Sequence, residues 1–512
     1  MKNKRLVINL ISNIISFGLQ LGINFILTPI ITEKVGDAAY GFIGLANNFV
    51  SYATIFTVII NSMASRFVTL ELNKENTKKA NQYFSSILIM DIVMSLIVGV
   101  ASTIIIVNLN AFLDIPQNLN FDVKLTFAFA FINLILSIIN TVFSIASFAK
   151  NRLDLDAIRN IMANIIKAIF LTVVFSIFTP KIYYITIGGV LYSIIVIITN
   201  IELTRRLAPE LKYSLKNYDK KCVMQLIKSG AWNSINSLGK TLLTGLDLLI
   251  ANIFVGADAM GILSISKTIP TSIENLLATI SNVFSPQFIM LYSKRKIREL
   301  ISSVNFSIKI IAFIMIVPLS GFITFGTEFF SLWLPTKTIE EIQLIQILSI
   351  LSLLPYIISA CNYSLFLLDT TTNKLKRPVI ATLIISILST IVTLVLLEKT
   401  NLGIYAVAGV SSIFWCIKVF FFNTINAAKN LRVKWYTFYP QYLKNLIIFI
   451  IVIMSFSILK IFFVVNSWKT LILVAVLFMV IGYTLTFLLL FKKEEKKMLK
   501  EFVINSVKKY RK

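Results

Sequence analysis

Four ionisable side chains stand where ionisable side chains are costly. Lys240 and Asp247 lie in one long apolar run, Lys267 and Glu274 in the next, and the members of each pair are seven positions apart. Seven residues make two helical turns, so each pair occupies one helix face. A short turn near Ala257 separates the runs. In an antiparallel hairpin, residues at equal depth have a constant sum of numbers, which predicts Asp247 opposite Lys267 and Lys240 opposite Glu274. Two readings stay open. The pairs form a structural zipper, or they form a switchable cation site in which an anionic headgroup competes with the carboxylates for the lysines. Lysine serves phosphate as a point charge, so a pyrophosphate suits the second reading.

Other polar residues join this group. Asn233, Asn236, Lys240, Thr244 and Asp247 recur at spacings of three and four, as do Asn9, Asn13, Ser16, Gln20 and Asn24. Trp232 adjoins the first stripe, where an indole either stacks on a sugar or sits in the interfacial belt. Lys167 lies about 13 Å inside its run, too deep for easy snorkelling. Lys309 and Lys418 lie nearer the ends of theirs, where they either snorkel or extend a positive surface. Asp91 is expected near an interface in a structural role.

The elements that carry these residues follow from composition. Of 512 residues, 57% are hydrophobic and 14% charged, and the mean hydropathy is +0.82. Soluble chains carry about 25% charge, so this is an all-α polytopic membrane protein. Apolar runs long enough to cross a bilayer occur at roughly 6–32, 39–63, 81–106, 123–148, 158–178, 182–202, 229–254, 259–290, 304–327, 341–368, 379–397, 403–425, 444–465 and 470–491, fourteen in all. The first has no cleavage site behind it and is retained as a span. With the N-terminus inside, the inner connections hold thirty-six Lys and Arg and the outer ones only Lys34, Lys181, Lys337, Lys399 and Lys469. That asymmetry places both termini in the cytoplasm and makes the net charge of +25 a matter of topology rather than of nucleic-acid binding. The basic stretch from Lys492, with Met498, Leu499, Phe502, Val503 and Ile504 among its charges, reads either as an amphipathic helix on anionic lipid or as a solvated tail. There is no histidine, and Cys222, Cys361 and Cys416 are widely spaced, so zinc hydrolysis and histidine triads are excluded and no cofactor or metal is expected.

A shift of 220 residues overlays the chain on itself. Gly36-Asp37-Ala38-Ala39-Tyr40-Gly41 falls on Gly256-Ala257-Asp258-Ala259-Met260-Gly261, and the two polar stripes upstream coincide. An even number of spans separates the repeats, so an axis along the membrane normal relates them. The expected domains are a six-helix lobe over 1–215, a second over 216–440, and two further helices with a basic tail over 441–512.

The stretch G-D-A-A-Y-G-F from Gly36, its partner G-L-D-L-L-I-A-N-I-F-V-G-A-D-A-M-G-I-L-S from Gly245, and the layout of six, six and two helices resemble polysaccharide flippases. These are Wzx-type members of the multidrug/oligosaccharidyl-lipid/polysaccharide exporter superfamily. The resemblance covers essentially the whole chain. It implies two lobes around a central cavity lined by the first, second, seventh and eighth helices. It also implies transport of an undecaprenyl-pyrophosphate-linked oligosaccharide, for capsule, exopolysaccharide or teichoic acid, from the inner to the outer leaflet of the bacterial cytoplasmic membrane. Lipid II flippases of the same superfamily place arginines in the first hairpin, where this chain offers Gln20, Asn24, Asn47 and Asn48. Many members stop at twelve helices.

Two other functions compete. An ion-coupled multidrug exporter of the same superfamily needs acidic groups in the first lobe, yet no Asp or Glu occurs over 6–32 or 39–63. A glycan polymerase or glycosyltransferase needs charged outer loops, and the connections near 107–122 and 328–340 have no Arg. No Walker motif is present, which leaves proton or sodium coupling open. Membrane lipids and the lipid-linked glycan are the expected partners, and a monomer the expected state. Pro29, Pro270, Pro286, Pro318 and Pro355 fall within or at the ends of spans, where they permit bends.

Overall fold

The computed structural model describes residues 18, 22–23, 25–150, 152–372, 374–491 and 495–496. Every regular element among them is helical. Asn9, Asn13, Ser16, Gln20, Asn24 and most of the basic stretch from Lys492 lie outside these residues. A helix over 25–34 (α1) leads to α2 (Asp37–Asn73), α3 (Thr77–Val107), a single turn α4 (Leu109–Phe112), α5 (Asn120–Ala149), α6 (Leu153–Ile177), α7 (Tyr183–Leu207), α8 (Lys220–Lys240), α9 (Asp247–Phe254) and α10 (Ala257–Ser266). Then come α11 (Thr268–Asn282), α12 (Ser285–Ser293), α13 (Ile297–Trp333), α14 (Ile339–Ala360), α15 (Phe366–Thr371), α16 (Lys376–Lys399), α17 (Ile404–Ile417), α18 (Thr424–Asn430), α19 (Tyr439–Lys460) and α20 (Trp468–Leu490).

The protein is a multi-pass membrane protein. Among the described residues, eleven helices are long and apolar enough to span a bilayer, and Lys220–Gly245 with Asp247–Phe254, bent by 41°, makes a twelfth if counted as one span. Of the fourteen expected spans, the first falls largely outside the described residues. The expected span at 259–290 is instead three shorter helices, α10, α11 and α12. Proline explains both breaks. Pro270 has no amide hydrogen for the Ser266 carbonyl and its ring crowds that carbonyl, so the helix parts at Lys267. The freed Ser266 carbonyl accepts a hydrogen bond from Ser349 Oγ at 2.9 Å. Pro286 then opens α12 in its first turn, the helical position where the missing amide costs least.

The turns repeat as the 220-residue shift predicts. Gly36 and Gly256 both take left-handed backbone, with φ of 99° and 121°, directly ahead of α2 and α10. Glu75 and Arg295 do the same at φ of 58° and 56°, ahead of α3 and α13. The non-glycine pair is the more telling, because a side chain at positive φ is uncommon.

The chain divides into two compact units, Met1–Ile265 with Thr382–Ser411, and Ser266–Ala381 with Ser412–Lys512. Hydrophobicity does not drive helix on helix in lipid; close packing and polar contacts do. In the first unit α2, α3, α5 and α8 share a core around Ile60, Tyr83, Phe84, Val142 and Leu226. Gly230 lets α8 reach α2 so closely that a Cβ there would collide with the Ile59 carbonyl. Helices α5 and α7 are joined by a polar ladder. Ser193 donates to Asn133, Asn200 Nδ2 donates to Asn140 Oδ1 at 3.0 Å, and Thr204 Oγ1 donates to the Phe143 carbonyl at 2.7 Å. The near-constant offset of sixty positions shows two parallel helices in register.

In the second unit α13, α14, α19 and α20 surround Met315, Leu353, Val452 and Phe478. The last two helices are tied to α13 at both ends. Lys460 Nζ meets Glu328 Oε1 at 2.6 Å and donates to the Thr324 carbonyl at 2.7 Å, while Lys309 Nζ meets Glu495 Oε1 at 2.5 Å.

Candidate functional site

The polar stripe around Lys240 becomes a face of α8. Trp232, Asn236 and Lys240 are exposed, and Asn233 is half-buried. In a span, exposed polar side chains require water or protein rather than acyl chains. On α2 of the same unit, Asn47 and Ser51 are exposed as well. Asn48, one position on, has a different duty. Its Nδ2 donates to the Gly245 carbonyl at 2.9 Å, and the Tyr52 hydroxyl donates to the same oxygen at 2.6 Å.

That carbonyl needs partners because Thr241–Gly245 is a π-helical segment between α8 and α9. Such a segment carries one extra residue per turn and leaves its carbonyls without regular helical donors. The hairpin carries the π-helical segment ahead of Asp247 and a helix break at Lys267. Lys240 and Asp247 belong to the first unit, Lys267 and Glu274 to the second. Asp247 is buried and accepts a hydrogen bond from Ser411 Oγ at 3.3 Å. Glu274 accepts one from the Tyr356 hydroxyl at 2.9 Å.

The other lysines separate by environment. Lys167 is half-buried on α6, its stem against Gly188 of α7, where an added Cβ would come within 3.3 Å of Lys167 Cγ. It has no ion-pair partner among the described residues. Lys309 is paired with Glu495, and Lys418 is buried with its Nζ 4.7 Å from the Trp415 ring centroid, so neither snorkels.

The sequence reading missed three features. In the second unit Thr271, Asn275 and Thr279 of α11 are all exposed, a polar stripe at spacings of four. Asp369 on α15 is buried, and its Oδ1 accepts from Asn426 Nδ2 at 2.7 Å and Asn430 Nδ2 at 2.8 Å. Burial pushes its carboxyl up to about 7, against the pull of Lys418 and the two amides. Asp91, expected near an interface, lies midway along α3, about 21 Å from the helix start, and is 1% exposed. Helix α3 begins at Thr77, earlier than the apolar run suggested.

Residues 6–292 match the family described as polysaccharide biosynthesis protein. The chain belongs to that family. It is 24% identical over 499 residues to the protein named uncharacterized membrane protein EpsK of Bacillus subtilis (strain 168), covering 97% of this chain and 98% of that one. Its fold is similar to that of the lipid II flippase MurJ in an inward closed conformation, with a TM-score of 0.67 and 17% identity over 94% of this chain and 98% of MurJ. It is also similar to an inward-facing multidrug resistance MATE family transporter of the MOP superfamily, with a TM-score of 0.61 and 13% identity over 81% of this chain and 96% of that one. Of these two folds, the longer coverage falls on MurJ.

Proposed function

We propose that this protein is a flippase for a lipid-linked oligosaccharide, carrying a diphosphate-bearing glycan from the inner to the outer leaflet of a bacterial cytoplasmic membrane by alternating access. The observation that carries the reading is the exposed polar face of α8. Asn236 and Lys240 are exposed there beside half-buried Asn233, and bring amide groups and a positive charge into a membrane span. An anionic sugar-diphosphate headgroup needs both. Lys167, Lys267, Asn47 and Trp232 are the further contacts, together with Gln20 and Asn24, which lie outside the described residues. Asp247 and Glu274 hold the lysines in place until the headgroup arrives. Two six-helix lobes over 1–215 and 216–440 enclose the pathway, with both termini on the cytoplasmic side and the protein acting as a monomer.

The efflux reading fits less well. A cationic drug needs an accessible carboxylate, whereas both deep carboxylates of the first unit, Asp91 and Asp247, are buried.

Deleting the gene tests the proposal. The expected result is loss of a surface polymer and accumulation of lipid-linked repeat units facing the cytoplasm. Complementation with Lys240→Gln or Lys167→Gln, at normal membrane abundance, leaves the polymer reduced by at least about tenfold, the loss of one charge-assisted contact. An unchanged polymer with heightened sensitivity to cationic dyes would establish efflux instead.

A further inference from the structure

Three oxygen-bearing groups inside the first unit lack partners at one place. Asp91 is 1% exposed and its Oδ2 has no hydrogen bond. Asn61 on α2 lies beside the Asp91 carboxyl, and its own Oδ1 has no donor. Ser95, one turn along the same face of α3, is 6% exposed and its Oγ is equally unpartnered. Buried polar atoms are almost always satisfied, and three oxygens unsatisfied together mark a site that awaits a donor or a cation.

Charged neighbours do not supply one. Of the elements packed against α3, α2 carries Asp37 in its first turn, Arg66, which is exposed, and Glu71, which pairs with Lys74. Helix α8 carries Lys220, Lys221 and Lys228, all exposed, and Lys240 at its far end. Cys222, near the start of α8, is buried against Tyr83, two turns before Asp91. On α5 the charges are Asp122 and Lys124, both in the first turns and far from the depth of Asp91. Lys216 lies in the 3-10 turn Leu215–Asn217.

We infer that Asp91, Asn61 and Ser95 form a monovalent-cation site, for H⁺ or Na⁺, through which the transport cycle is coupled to an ion gradient. The coupling clause rests on the transport reading above; the binding clause does not. A proton on Asp91 Oδ2 creates the donor that Ser95 Oγ or Asn61 Oδ1 lacks. A sodium ion takes the same three oxygens, with water for its remaining positions, as hard cations take oxygen ligands. Either occupant neutralises a carboxylate held in a low-dielectric interior, where an uncompensated charge is expensive. Loading and unloading therefore changes the balance between α2 and α3 directly.

The test uses the purified full-length chain in detergent and Asp91→Asn, which keeps the shape of the protonated side chain. Infrared difference spectra between acid and alkaline pH read a buried protonated carboxyl, and ²²Na⁺ binding against a choline background reads sodium. The wild type is expected to show one of these two signals, and which one identifies the ion. Asp91→Asn is expected to lose it and, at normal membrane abundance, to lose the surface polymer. Absence of both signals in the wild type overturns the site, as does their persistence in Asp91→Asn. A full polymer in a variant that has lost the signal overturns the coupling. If Asp91→Asn does not accumulate, Asn61→Ala and Ser95→Ala are each expected to shift the binding midpoint by about tenfold, as loss of a supporting ligand does. Unshifted midpoints in both overturn the site. A strain whose polymer is indifferent to the whole gene refutes the flippase reading and leaves the ion signals standing.

Discussion

Gly41 and Gly261 touch, and they occupy the same place in the two copies of the repeat. A Cβ on Gly41 would come within 2.8 Å of the Gly261 Cα, and one on Gly261 would strike the Asp37 carbonyl. Gly44 is likewise packed against Ser264, its own counterpart 220 positions on. Equivalent residues meet each other only where a two-fold axis passes between them. Helices α2 and α10 therefore cross on a local pseudo-two-fold, at a point with room for hydrogen alone.

Gly261→Val follows from that contact. The added side chain meets backbone, which cannot move aside, so overpacking should cost about 1–3 kcal/mol. Detergent-resistance or SDS-titrated unfolding of the purified protein measures it. Gly321→Ala, which meets no atom within 4 Å, is the control and should leave stability nearly unchanged.

The doubly capped carbonyl of Gly245 gives a second expectation. Tyr52→Phe or Asn48→Ala alone leaves one donor in place and should cost about 1 kcal/mol. Together they strand a part-buried carbonyl of the π segment. The double variant should lose more than the two single losses added together, as coupled neighbours do. Strict additivity would show that the caps are independent of each other.

Asp369 sets a pH dependence. Its carboxyl, ordinarily near 4, stands at about 7 in the folded protein because it is buried. Between those values the folded chain keeps a proton that the unfolded chain has released. This group's contribution to stability is thus full below about 4 and lost as pH rises through about 7. Comparing wild type with Asp369→Asn at pH 5 and pH 8 isolates it. The wild type should weaken relative to the variant at the higher pH, by on the order of a few kcal/mol at most. A difference that does not change with pH refutes the shift.

Lys460 anchors α19 to α13 through an ion pair and a carbonyl contact, and its Nζ also lies 5.4 Å from the Phe325 ring centroid. Lys460→Met should destabilise the protein by about 1.5–3 kcal/mol, the range for charge-assisted hydrogen bonds. Adding Glu328→Gln removes the abandoned charge and should recover part of the loss. No recovery would assign the cost to packing instead.

Orientation is checked by labelling. In a cysteine-free background, Asn118→Cys should react with a membrane-impermeant maleimide added outside, and Lys78→Cys only after the membrane is opened. Labelling of both from one side refutes the assigned topology.

Most of the architecture could be read in the sequence because the bilayer imposes it. Length and apolarity mark eleven of the expected spans, and Gly36 and Gly256 mark the turns that head the repeat hairpins. The breaks were less visible. Pro270 and Pro286 stand out in the chain, but nothing local says whether a membrane helix bends at a proline or parts there; the Ser349 hydroxyl that donates to the freed carbonyl comes from α14, some eighty residues away. The π segment had no sequence signal. Asn47 and Asn48 look alike in the chain, yet one is exposed and the other is spent on Gly245. Helix α3 starts in the polar stretch Thr77-Lys78-Lys79, where hydropathy alone does not look for a helix.

The polar ladder between α5 and α7 bears on how the chain is made. Asn133 and Asn140 have no partner until Ser193 and Asn200 emerge from the ribosome sixty codons later. Through that interval α5 holds two amides that lipid cannot satisfy, and α6 must be threaded while they wait. The seam between α5 and α7 therefore closes only after α6 has been made, and α5 gains these polar contacts late in the synthesis of the first unit.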